Sequence, residues 1–345
     1  MIQSIRAALT AVLVMAGGGA VSETSLQILS YDDLNGWAQE DHEAARQVFL
    51  NTCGDFDAPD WQSVCSAARG IGSARKFFEL LFRPVLIEDG ADPLFTGYFE
   101  PELTGARSPY GQYRFPVYRM PPEVRGAGPW MTRREIETSG ALAGRGLEIA
   151  WVDDSVELFF LQIQGSGRIR MSDGSTVRVG YGGSNGRNYR SIGAEMVRRG
   201  IYNRHQVSAE VIKNWVRRNP VAGAELLRHN DSFVFFREVS RVAADKGPLG
   251  AMNRSITTMR TVAVDPKFTP LGAPVWVEKD GENPLRRLMI AQDTGSAIKG
   301  AQRADIFFGT GDLAGKAAGR LKDPGRMVVF LPIQRAYAML PESIL

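Results

Sequence analysis

The sequence predicts a mainly β-protein with an α-helical N-terminal lead. Glycine and proline, which number 37 and 18 among 345 residues, divide most of the chain into short apolar segments of strand length. Residues 172–175, Ser-Asp-Gly-Ser, separate two such segments in the pattern of a β-hairpin. Many short strands separated by turns are typical of a barrel and not of a doubly wound sheet, so we expect a β-barrel.

Helices are expected at the start of the folded chain and at three later places. Residues 39–50 carry apolar side chains at helical spacing. Ser73 is a favourable N-cap for a second helix over residues 74–82, which Pro84 is expected to end. The later helices are predicted over residues 208–218, 221–228 and 312–320.

Strands are predicted from residue 95 onward, where apolar segments become short and alternate with polar residues. No internal repeat or low-complexity linker interrupts them. The predicted strands are residues 95–100, 158–164, 169–171, 177–181, 260–264, 274–277, 287–292, 304–308 and 327–331.

Length and composition exclude several classes of protein. A chain of 345 residues is long enough for two domains. Its 41 basic and 38 acidic residues give a net charge of +3, which is too balanced for a nucleic-acid-binding protein. With three histidines and two cysteines, none at metal-ligand spacing, we expect no metal or redox site.

Residues 1–22 have the layout of a secretory signal peptide. Arg6 precedes an apolar stretch over residues 7–20 that ends in small residues and is too short for a typical transmembrane helix; a buried N-terminal helix is the alternative. No cysteine stands near the expected cleavage site, so we expect a soluble, exported protein. Cys53 and Cys65 are then expected to form a disulfide, with two buried thiols as the alternative.

Three aspartates in the last hundred residues are the candidates for catalysis. Asp265 and Asp293 each follow an apolar strand, and Asp305 begins one. Apolar surroundings raise the pKa of a carboxyl group, and converging carboxylates repel, so that one stays protonated and can act as a general acid. For each aspartate alone, a role in forming a turn is the simpler interpretation. The occurrence of all three together favours a catalytic role.

Two hydrolase patterns occur without the context that they need. Asp293-Thr294-Gly295 matches half of an aspartic protease site, but the chain has no second copy of it. Ser184 stands in a Gly-x-Ser-x-Gly motif that follows a hairpin, whereas a serine hydrolase places this motif between a strand and a helix. Neither activity is favoured.

Polar side chains predict a carbohydrate-binding surface. If residues 162–167 continue a strand, Gln162, Gln164 and Ser166 share one face because the period is two. Asn185 lies in the glycine-rich segment that follows the hairpin. Amide groups suit sugar hydroxyls, although an exposed edge strand is the simpler interpretation.

Several motifs share one pattern, and they lie at residues 30–37, 96–101, 160–167, 180–186, 189–193, 261–266, 293–295 and 305–306. Together they resemble the lytic murein transglycosylase A family over nearly all of the mature sequence. The departures are mild: Asn35 stands where proline is usual and Thr261 where serine is common. Family members are often lipoproteins, and the lipidation cysteine is not found here.

The resemblance implies two domains with a groove between them. One is a double-psi β-barrel, named for its three aspartates, that we expect to comprise residues 23–104 and 243–345. The other is a smaller β-rich domain inserted at residues 105–242. The groove would hold a peptidoglycan glycan strand.

The resemblance also implies the reaction. The family cleaves the β-1,4 bond between N-acetylmuramic acid and N-acetylglucosamine without water, because the C6 hydroxyl of the muramic acid attacks its own C1 and forms a 1,6-anhydro ring. Asp305 would be the acid and base, with Asp265 and Asp293 close by. The candidate glycan contacts are Tyr98, Gln162, Gln164, Ser166 and Asn185.

The expected partners follow from this activity. They are peptidoglycan glycan strands and proteins of cell-wall synthesis or division, with no nucleic acid and no metal or organic cofactor. We expect a monomer in the periplasm and leave association with the outer membrane open. Two alternatives remain: a muramidase-type hydrolase, which needs a second carboxylate to activate water, and a non-catalytic glycan-binding protein, which would tolerate Asp305→Asn.

Overall fold

The computed structural model describes the backbone of residues 10–13 and, in full, residues 24–126, 128–240 and 242–339. Most of the predicted signal peptide, residues 1–22, lies outside the described residues. Within these ranges, no helix combines the length and the apolar composition that crossing a bilayer requires.

Ten α-helices occur in the described ranges, and most are short. They are α1 His42–Leu50, α2 Pro59–Ala67, α3 Ala74–Leu81, α4 Arg133–Ser139, α5 Ser155–Gln164, α6 Ile192–Arg198, α7 Ala209–Arg218, α8 Pro220–Leu227, α9 Asp312–Arg320 and α10 Ile333–Ala338.

Strands outnumber helices in the same ranges, which confirms the mainly β fold with an α-helical N-terminal lead. They are β1 Thr10–Leu13, β2 Thr24–Ile28, β3 Phe82–Glu88, β4 Leu94–Glu100, β5 Glu102–Ala106, β6 Phe115–Tyr118, β7 Glu148–Val152, β8 Gly167–Met171, β9 Thr176–Ser184, β10 Val234–Glu238, β11 Thr261–Val264, β12 Pro274–Lys279, β13 Leu285–Asp293, β14 Arg303–Thr310, β15 Lys322–Asp323 and β16 Gly325–Pro332.

The chain folds into two compact units, each with its own sheet. The first unit comprises the chain up to Gly97, Gly250–Phe307 and the chain from Leu321 onward. The second unit comprises Tyr98–Leu249 and Phe308–Arg320. The double-psi connection of the barrel stays a prediction.

The sheet of the first unit has the order β1-β2-β3-β16-β12-β13-β11-β14-β4-β15. Its central strands are covered on both faces, since every residue of β11 and β12 is buried. Burial on both faces explains why Val262–Val264 of β11 and Pro274–Val277 of β12 are continuous apolar runs rather than alternating patterns.

Helices α1 and α3 contribute their apolar faces to the core of this unit. Phe49 of α1 and Phe77 and Phe78 of α3 have no exposed surface, and burial of each ring stabilises the fold by about 1.5–3 kcal/mol. Helix α1 begins at His42 because the Asp41 carboxylate accepts a hydrogen bond from Ala44 N at 3.1 Å. Both predicted N-terminal helices are confirmed, with α1 three residues shorter than expected.

Pro84 does not have the role that the sequence suggested. Strand β3 begins at Phe82, directly after α3, and continues through Pro84. The Pro84 carbonyl accepts a hydrogen bond from Leu29 N at 2.9 Å, and Phe330 of β16 pairs with it on the other side. The helix ends because the residues that follow it pair with other strands in the sheet. No local pattern in the sequence predicts this pairing.

The second unit is built on a sheet of order β10-β9-β8-β5-β7-β6. The hairpin β8–β9 is confirmed, and its turn contains Gly174 with a φ of 87°. Asp173 accepts a hydrogen bond from Ser175 N at 2.8 Å, which stabilises the turn. The helices predicted around residues 208–228 and over 312–320 are confirmed as α7, α8 and α9.

The strand predicted over residues 158–164 is wrong, because this segment is the C-terminal part of helix α5. The Asp154 carboxylate caps the helix by accepting hydrogen bonds from Val156 N at 2.7 Å and Glu157 N at 3.2 Å. Gly165 ends it in the left-handed conformation with a φ of 77°. A short apolar run does not by itself distinguish a strand from a buried helix; the two caps would have done so.

Cys53 and Cys65 are joined by a disulfide that spans 12 positions. It connects the turn after α1 to helix α2, so it closes a small loop within the helical lead. A cross-link of this span lowers the entropy of the unfolded chain.

We expect the double variant Cys53→Ser/Cys65→Ser to lose about 3 kcal/mol of unfolding free energy. Without the cross-link, the unfolded chain gains conformational entropy and is therefore more stable relative to the fold. Urea unfolding followed by circular dichroism measures this. The variant Ser66→Ala, in the same helix, should stay within about 0.5 kcal/mol of the unchanged protein. Equal stability of all three proteins would contradict the prediction.

Candidate active site

Asp305 lies on β14, where two polar side chains hold it. The Thr96 hydroxyl, from the neighbouring strand β4, donates a hydrogen bond of 2.5 Å to Asp305 Oδ1. Arg303 donates to the Thr96 oxygen at 2.8 Å. Since the Thr96 oxygen accepts from the guanidinium, its own hydrogen is directed to Asp305, and the carboxyl orientation is fixed.

Burial makes Asp305 a candidate general acid. Desolvation raises the pKa of the Asp305 carboxyl, while the hydrogen bond from Thr96 and the charge of Arg303 oppose that rise. Burial also lowers the pKa of Arg303, and the neighbouring Asp305 counteracts the decrease. Asp305 nevertheless keeps part of its surface exposed, so a substrate has access to a carboxyl group with a raised pKa.

Strand β11 places Asp293 and Asp305 in one row. Ala263 pairs with Asp293 of the parallel strand β13 and with Asp305 of the antiparallel strand β14. Paired residues point to the same face of a sheet, and two strand spacings separate the two aspartate Cα atoms by about 10 Å. The prediction that these aspartates lie near one another therefore has a basis in the register of the sheet.

Asp293 is held by the main chain. Its Oδ1 accepts hydrogen bonds from Ala251 N and Thr294 N, both at 2.9 Å. Gly250 allows the close approach, because a Cβ atom there would lie 2.7 Å from the Gln292 carbonyl oxygen. The carboxylate is partly exposed, with a fixed orientation.

Asp265 is less exposed to solvent than Asp293 and Asp305. It is 7% exposed, and its two carboxylate oxygens accept hydrogen bonds from Lys267 N at 3.2 Å and Gly300 N at 3.0 Å. These bonds connect the end of β11 to the loop before β14. The side chain therefore supports the strand that carries Asp305.

The remaining predicted site residues lie in the second unit, and two of them are neighbours. Gln164 Oε1 accepts a hydrogen bond from Phe99 N at 3.0 Å, which brings it next to Tyr98 on β4. Tyr98 is 9% exposed and Ser166 is 8% exposed. Ser166 follows the glycine that ends α5.

Gln162 and Gln164 do not share a face, which corrects the expectation from the strand. On helix α5 they are two residues apart, and at 100° per residue their side chains point in nearly opposite directions. Gln162 is 6% exposed and lines a cavity within the second unit. Ser166 lies beyond the helix, so the predicted polar row does not exist.

Asn185 is a structural residue in this fold. It has no exposed surface, and its amide nitrogen donates to the carbonyl oxygens of Met131 and Asp231, both at 2.8 Å. Its side-chain oxygen accepts from Phe233 N at 2.9 Å. These bonds leave no surface of Asn185 for a sugar, so it cannot make the predicted contact in this conformation.

The sequence did not predict a buried cluster of charged side chains around Glu100. Glu100 has no exposed surface and accepts hydrogen bonds from Arg168 at 2.8 Å and Thr310 at 2.7 Å. Arg178 lies 3.1 Å from its other oxygen. Glu100 stands in a motif that the resemblance contains, but its arginine partners are about seventy residues away in sequence.

Arg303 and Thr96 were also missed as partners of Asp305. The signal for Arg303 was present, because residues two apart on a strand share one face. Thr96 is about two hundred residues away from Asp305, and only the pairing of strands brings them together. In the portion of the chain that the structure describes, no group of three histidine, cysteine or acidic side chains is arranged to hold a metal ion.

Two family models match the chain. The MltA specific insert domain matches residues 94–237, and the 3D domain matches residues 260–331. The segment matched by the 3D domain contains all three aspartates.

Curated relatives and solved structures agree with these matches. Membrane-bound lytic murein transglycosylase A from Vibrio cholerae is 36% identical over 72% of this chain and 69% of its own length. The Escherichia coli protein of that name is also 36% identical, over 68% of this chain and 64% of its own length.

The fold is shared with crystal structures of similar proteins. A membrane-bound lytic murein transglycosylase from Agrobacterium tumefaciens has a TM-score of 0.79 at 30% identity, covering 91% of this chain and 99% of that one. MltA from Neisseria gonorrhoeae has a TM-score of 0.76 at 33% identity, covering 93% and 95%. E. coli MltA with bound chitohexaose has a TM-score of 0.69 at 28% identity, covering 85% and 90%.

We expect Glu100→Gln to lower the unfolding free energy by about 3–5 kcal/mol, because it leaves the buried Arg178 and the partly buried Arg168 without their counter-charge. The matched control is Glu102→Gln, which breaks a pair with Arg170, a side chain that is 67% exposed. The control should lose less than about 1 kcal/mol. Urea unfolding of both variants tests this, and equal losses would contradict it.

Proposed function

The chain belongs to the lytic murein transglycosylase A family, and we propose that it cleaves peptidoglycan with Asp305 as its single acid and base. The bond cleaved is the β-1,4 bond between N-acetylmuramic acid and N-acetylglucosamine, and the product ends in a 1,6-anhydro ring. The observation that carries the proposal is the partly buried Asp305, whose carboxyl group accepts a hydrogen bond from Thr96 and has a pKa that desolvation raises. The bound chitohexaose of one structural neighbour supports a glycan as the ligand.

One carboxyl group suffices for both proton transfers. Protonated Asp305 gives its proton to the glycosidic oxygen as the bond from C1 of the muramic acid breaks. The C6 hydroxyl of the same sugar then forms a bond to C1, and the Asp305 carboxylate takes the hydroxyl proton. The acid is regenerated, no water is consumed, and the product ring contains the C1–O6 bond.

Thr96 and Arg303 moderate the pKa of Asp305, which must act both as an acid and as a base. A carboxyl group in an apolar site alone holds its proton tightly and is a poor donor. The hydrogen bond from Thr96 and the nearby guanidinium stabilise the carboxylate, so the pKa is lowered from the value that burial alone would produce. We assign both side chains positioning and electrostatic roles.

Asp293 and Asp265 have separate supporting roles in this proposal. Asp293 is partly exposed and its carboxylate is oriented by main-chain N–H groups, which suits an acceptor for a hydroxyl of the reacting sugar. Asp265 is buried and holds the loop before β14. In the second unit we propose that Gln164, Tyr98 and Ser166 contact the glycan.

The proposed substrate determines the cellular compartment in which the protein acts. Peptidoglycan lies outside the cytoplasmic membrane, so an enzyme that cleaves it must be exported. The composition of residues 1–22 suits a signal peptide, and the disulfide between Cys53 and Cys65 suits an oxidising compartment. We propose that the mature protein acts as a monomer in the periplasm, alongside cell-wall synthesis or division proteins.

We expect Asp305→Asn to lower the release of soluble fragments from purified peptidoglycan by at least about a hundredfold, since an amide neither donates nor accepts the required proton. Mass spectrometry of the fragments measures both the amount and the chemistry of the ends. Fragments from the unchanged protein should be lighter by one water than reducing-ended ones.

The control is Asp32→Asn, which changes an exposed aspartate in the first unit and should leave release unchanged. Reducing-ended fragments would show a hydrolase instead, and would require a carboxylate that activates water. Full activity of Asp305→Asn would overturn the assignment of the acid.

The pH dependence tests the role of Thr96. Its hydrogen bond lowers the pKa of Asp305, so Thr96→Val should raise that pKa. Because the reaction starts from protonated Asp305, the alkaline limb of kcat/KM should move to higher pH. An alkaline limb that is unchanged or moves to lower pH would contradict the prediction. The control is Thr104→Val, which removes a hydroxyl that is hydrogen-bonded to Asp153.

A further inference from the structure

Residues 250–254 form a short loop in the first unit, here called the 250–254 loop, that holds the Asp293 carboxylate. Ala251 N, from this loop, donates to Asp293 Oδ1 at 2.9 Å. Thr294 N donates to the same oxygen at 2.9 Å. Of these two donors, only Ala251 comes from a distant part of the sequence. The orientation of the carboxylate within the unit therefore depends on the position of the 250–254 loop.

Main-chain hydrogen bonds join the two ends of the 250–254 loop. Gly250 N donates to the Arg254 carbonyl oxygen at 3.0 Å, and Asn253 N donates to the Gly250 carbonyl oxygen at 2.9 Å. Asn253 has a φ of 54°, in the left-handed region that asparagine tolerates better than most residues. Because the ends are joined, a displacement of Arg254 also moves Gly250 and Ala251.

The side chain of Arg254 is held by Asp55. Its Nε and Nη2 donate to the two oxygens of the Asp55 carboxylate at 2.9 and 2.7 Å. Two parallel hydrogen bonds fix the direction of a guanidinium as well as its distance. The Arg254 and Asp55 side chains are 45% and 26% exposed, and an exposed ion pair contributes little to folding stability. We therefore expect this pair to act on the position of the loop rather than on stability.

The residues on both sides of Asp55 are anchored in the helical lead. Cys53 is joined to Cys65 of α2 by the disulfide. Phe56 stacks on the buried Trp61, also of α2, with the ring centres 4.7 Å apart. Asp55 is therefore a fixed point to which the ion pair connects the 250–254 loop.

We propose that Arg254, held by Asp55, is a positioning residue for the proposed reaction. It fixes the Ala251 N–H group against the Asp293 carboxylate and so keeps that carboxylate directed at the reacting sugar. The inference rests on the proposed function, in which Asp293 accepts a hydrogen bond from a hydroxyl of that sugar. Loss of the ion pair frees the loop and weakens the hydrogen bond from Ala251.

Amide hydrogen exchange tests the positioning step without the use of activity. In Arg254→Gln and in Asp55→Asn, the Ala251 amide should exchange at least about threefold faster than in the unchanged protein, because its hydrogen bond to Asp293 opens more often. Nuclear magnetic resonance of the full mature chain measures the exchange rate at this amide.

The matched control is Arg335→Gln. Arg335 donates to the two oxygens of Asp60 at 2.7 and 3.0 Å, and the two side chains are 36% and 19% exposed. This pair joins α10 to α2 and does not involve the 250–254 loop. Its loss should leave both the exchange of the Ala251 amide and the rate of cleavage unchanged.

Kinetics on soluble, un-cross-linked peptidoglycan strands test the consequence for the reaction. Arg254→Gln should lower kcat by about three- to tenfold. KM should stay within about twofold, because Asp293 serves one sugar whereas the whole strand contributes to binding. In an Asp293→Ala background, Arg254→Gln should have no further effect, since no carboxylate remains to be oriented. A general loss of folded protein would lower the rate equally in both backgrounds.

Three results would overturn the positioning role. They are unchanged exchange of the Ala251 amide in Arg254→Gln, equally faster exchange in Arg335→Gln, and an equal loss of kcat with and without the Asp293 carboxylate. If Asp293→Ala cleaves at the full rate, the proposed role of Asp293 fails, while the exchange result still decides whether the ion pair positions the loop. The two failures are therefore distinguishable.

Discussion

The position of strand β11 between β13 and β14 is the constraint on which the chemistry of the first unit depends. Ala263 pairs with Asp293 on one side and with Asp305 on the other, so the register of two ladders places both carboxylates on one face. A shift of one residue would turn Asp305 to the opposite face. The buried β11 and the bonds that Asp265 makes beyond its end prevent that shift.

In the proposed reaction, two opposing influences act on the carboxyl group of Asp305. Desolvation stabilises the protonated acid, whereas the Thr96 hydroxyl and the Arg303 guanidinium stabilise the carboxylate. An acid that must release a proton and take one back benefits from both. The hydrogen bond from Arg303 to Thr96 directs the hydroxyl hydrogen, so these two side chains act on Asp305 together.

Local signals predicted β11 to β14 and β16, and the errors elsewhere have two different causes. The apolar runs that became β12, β13 and β16 had strand length and no competing caps. Helix α5 was misassigned because its apolar run outweighed the caps Asp154 and Gly165, and Pro84 entered a strand because β2 and β16 flank it. The assigned face of Gln162 was wrong for the same reason, since a helix and a strand point the same residues in different directions.

The sequence by itself determined the mainly β composition, the hairpin, the pairing of two cysteines and the three aspartates that carry the family's motif. These features are local, because a turn, a cap or a motif lies within a few neighbouring residues. Only the tertiary structure decided that Thr96 donates a hydrogen bond to Asp305. The same holds for the main-chain hydrogen bonds of the buried Asn185 and for the position of Gln162 in the lining of a cavity. Such contacts join residues far apart in sequence, and their geometry depends on strand register and helix packing, which no local pattern encodes.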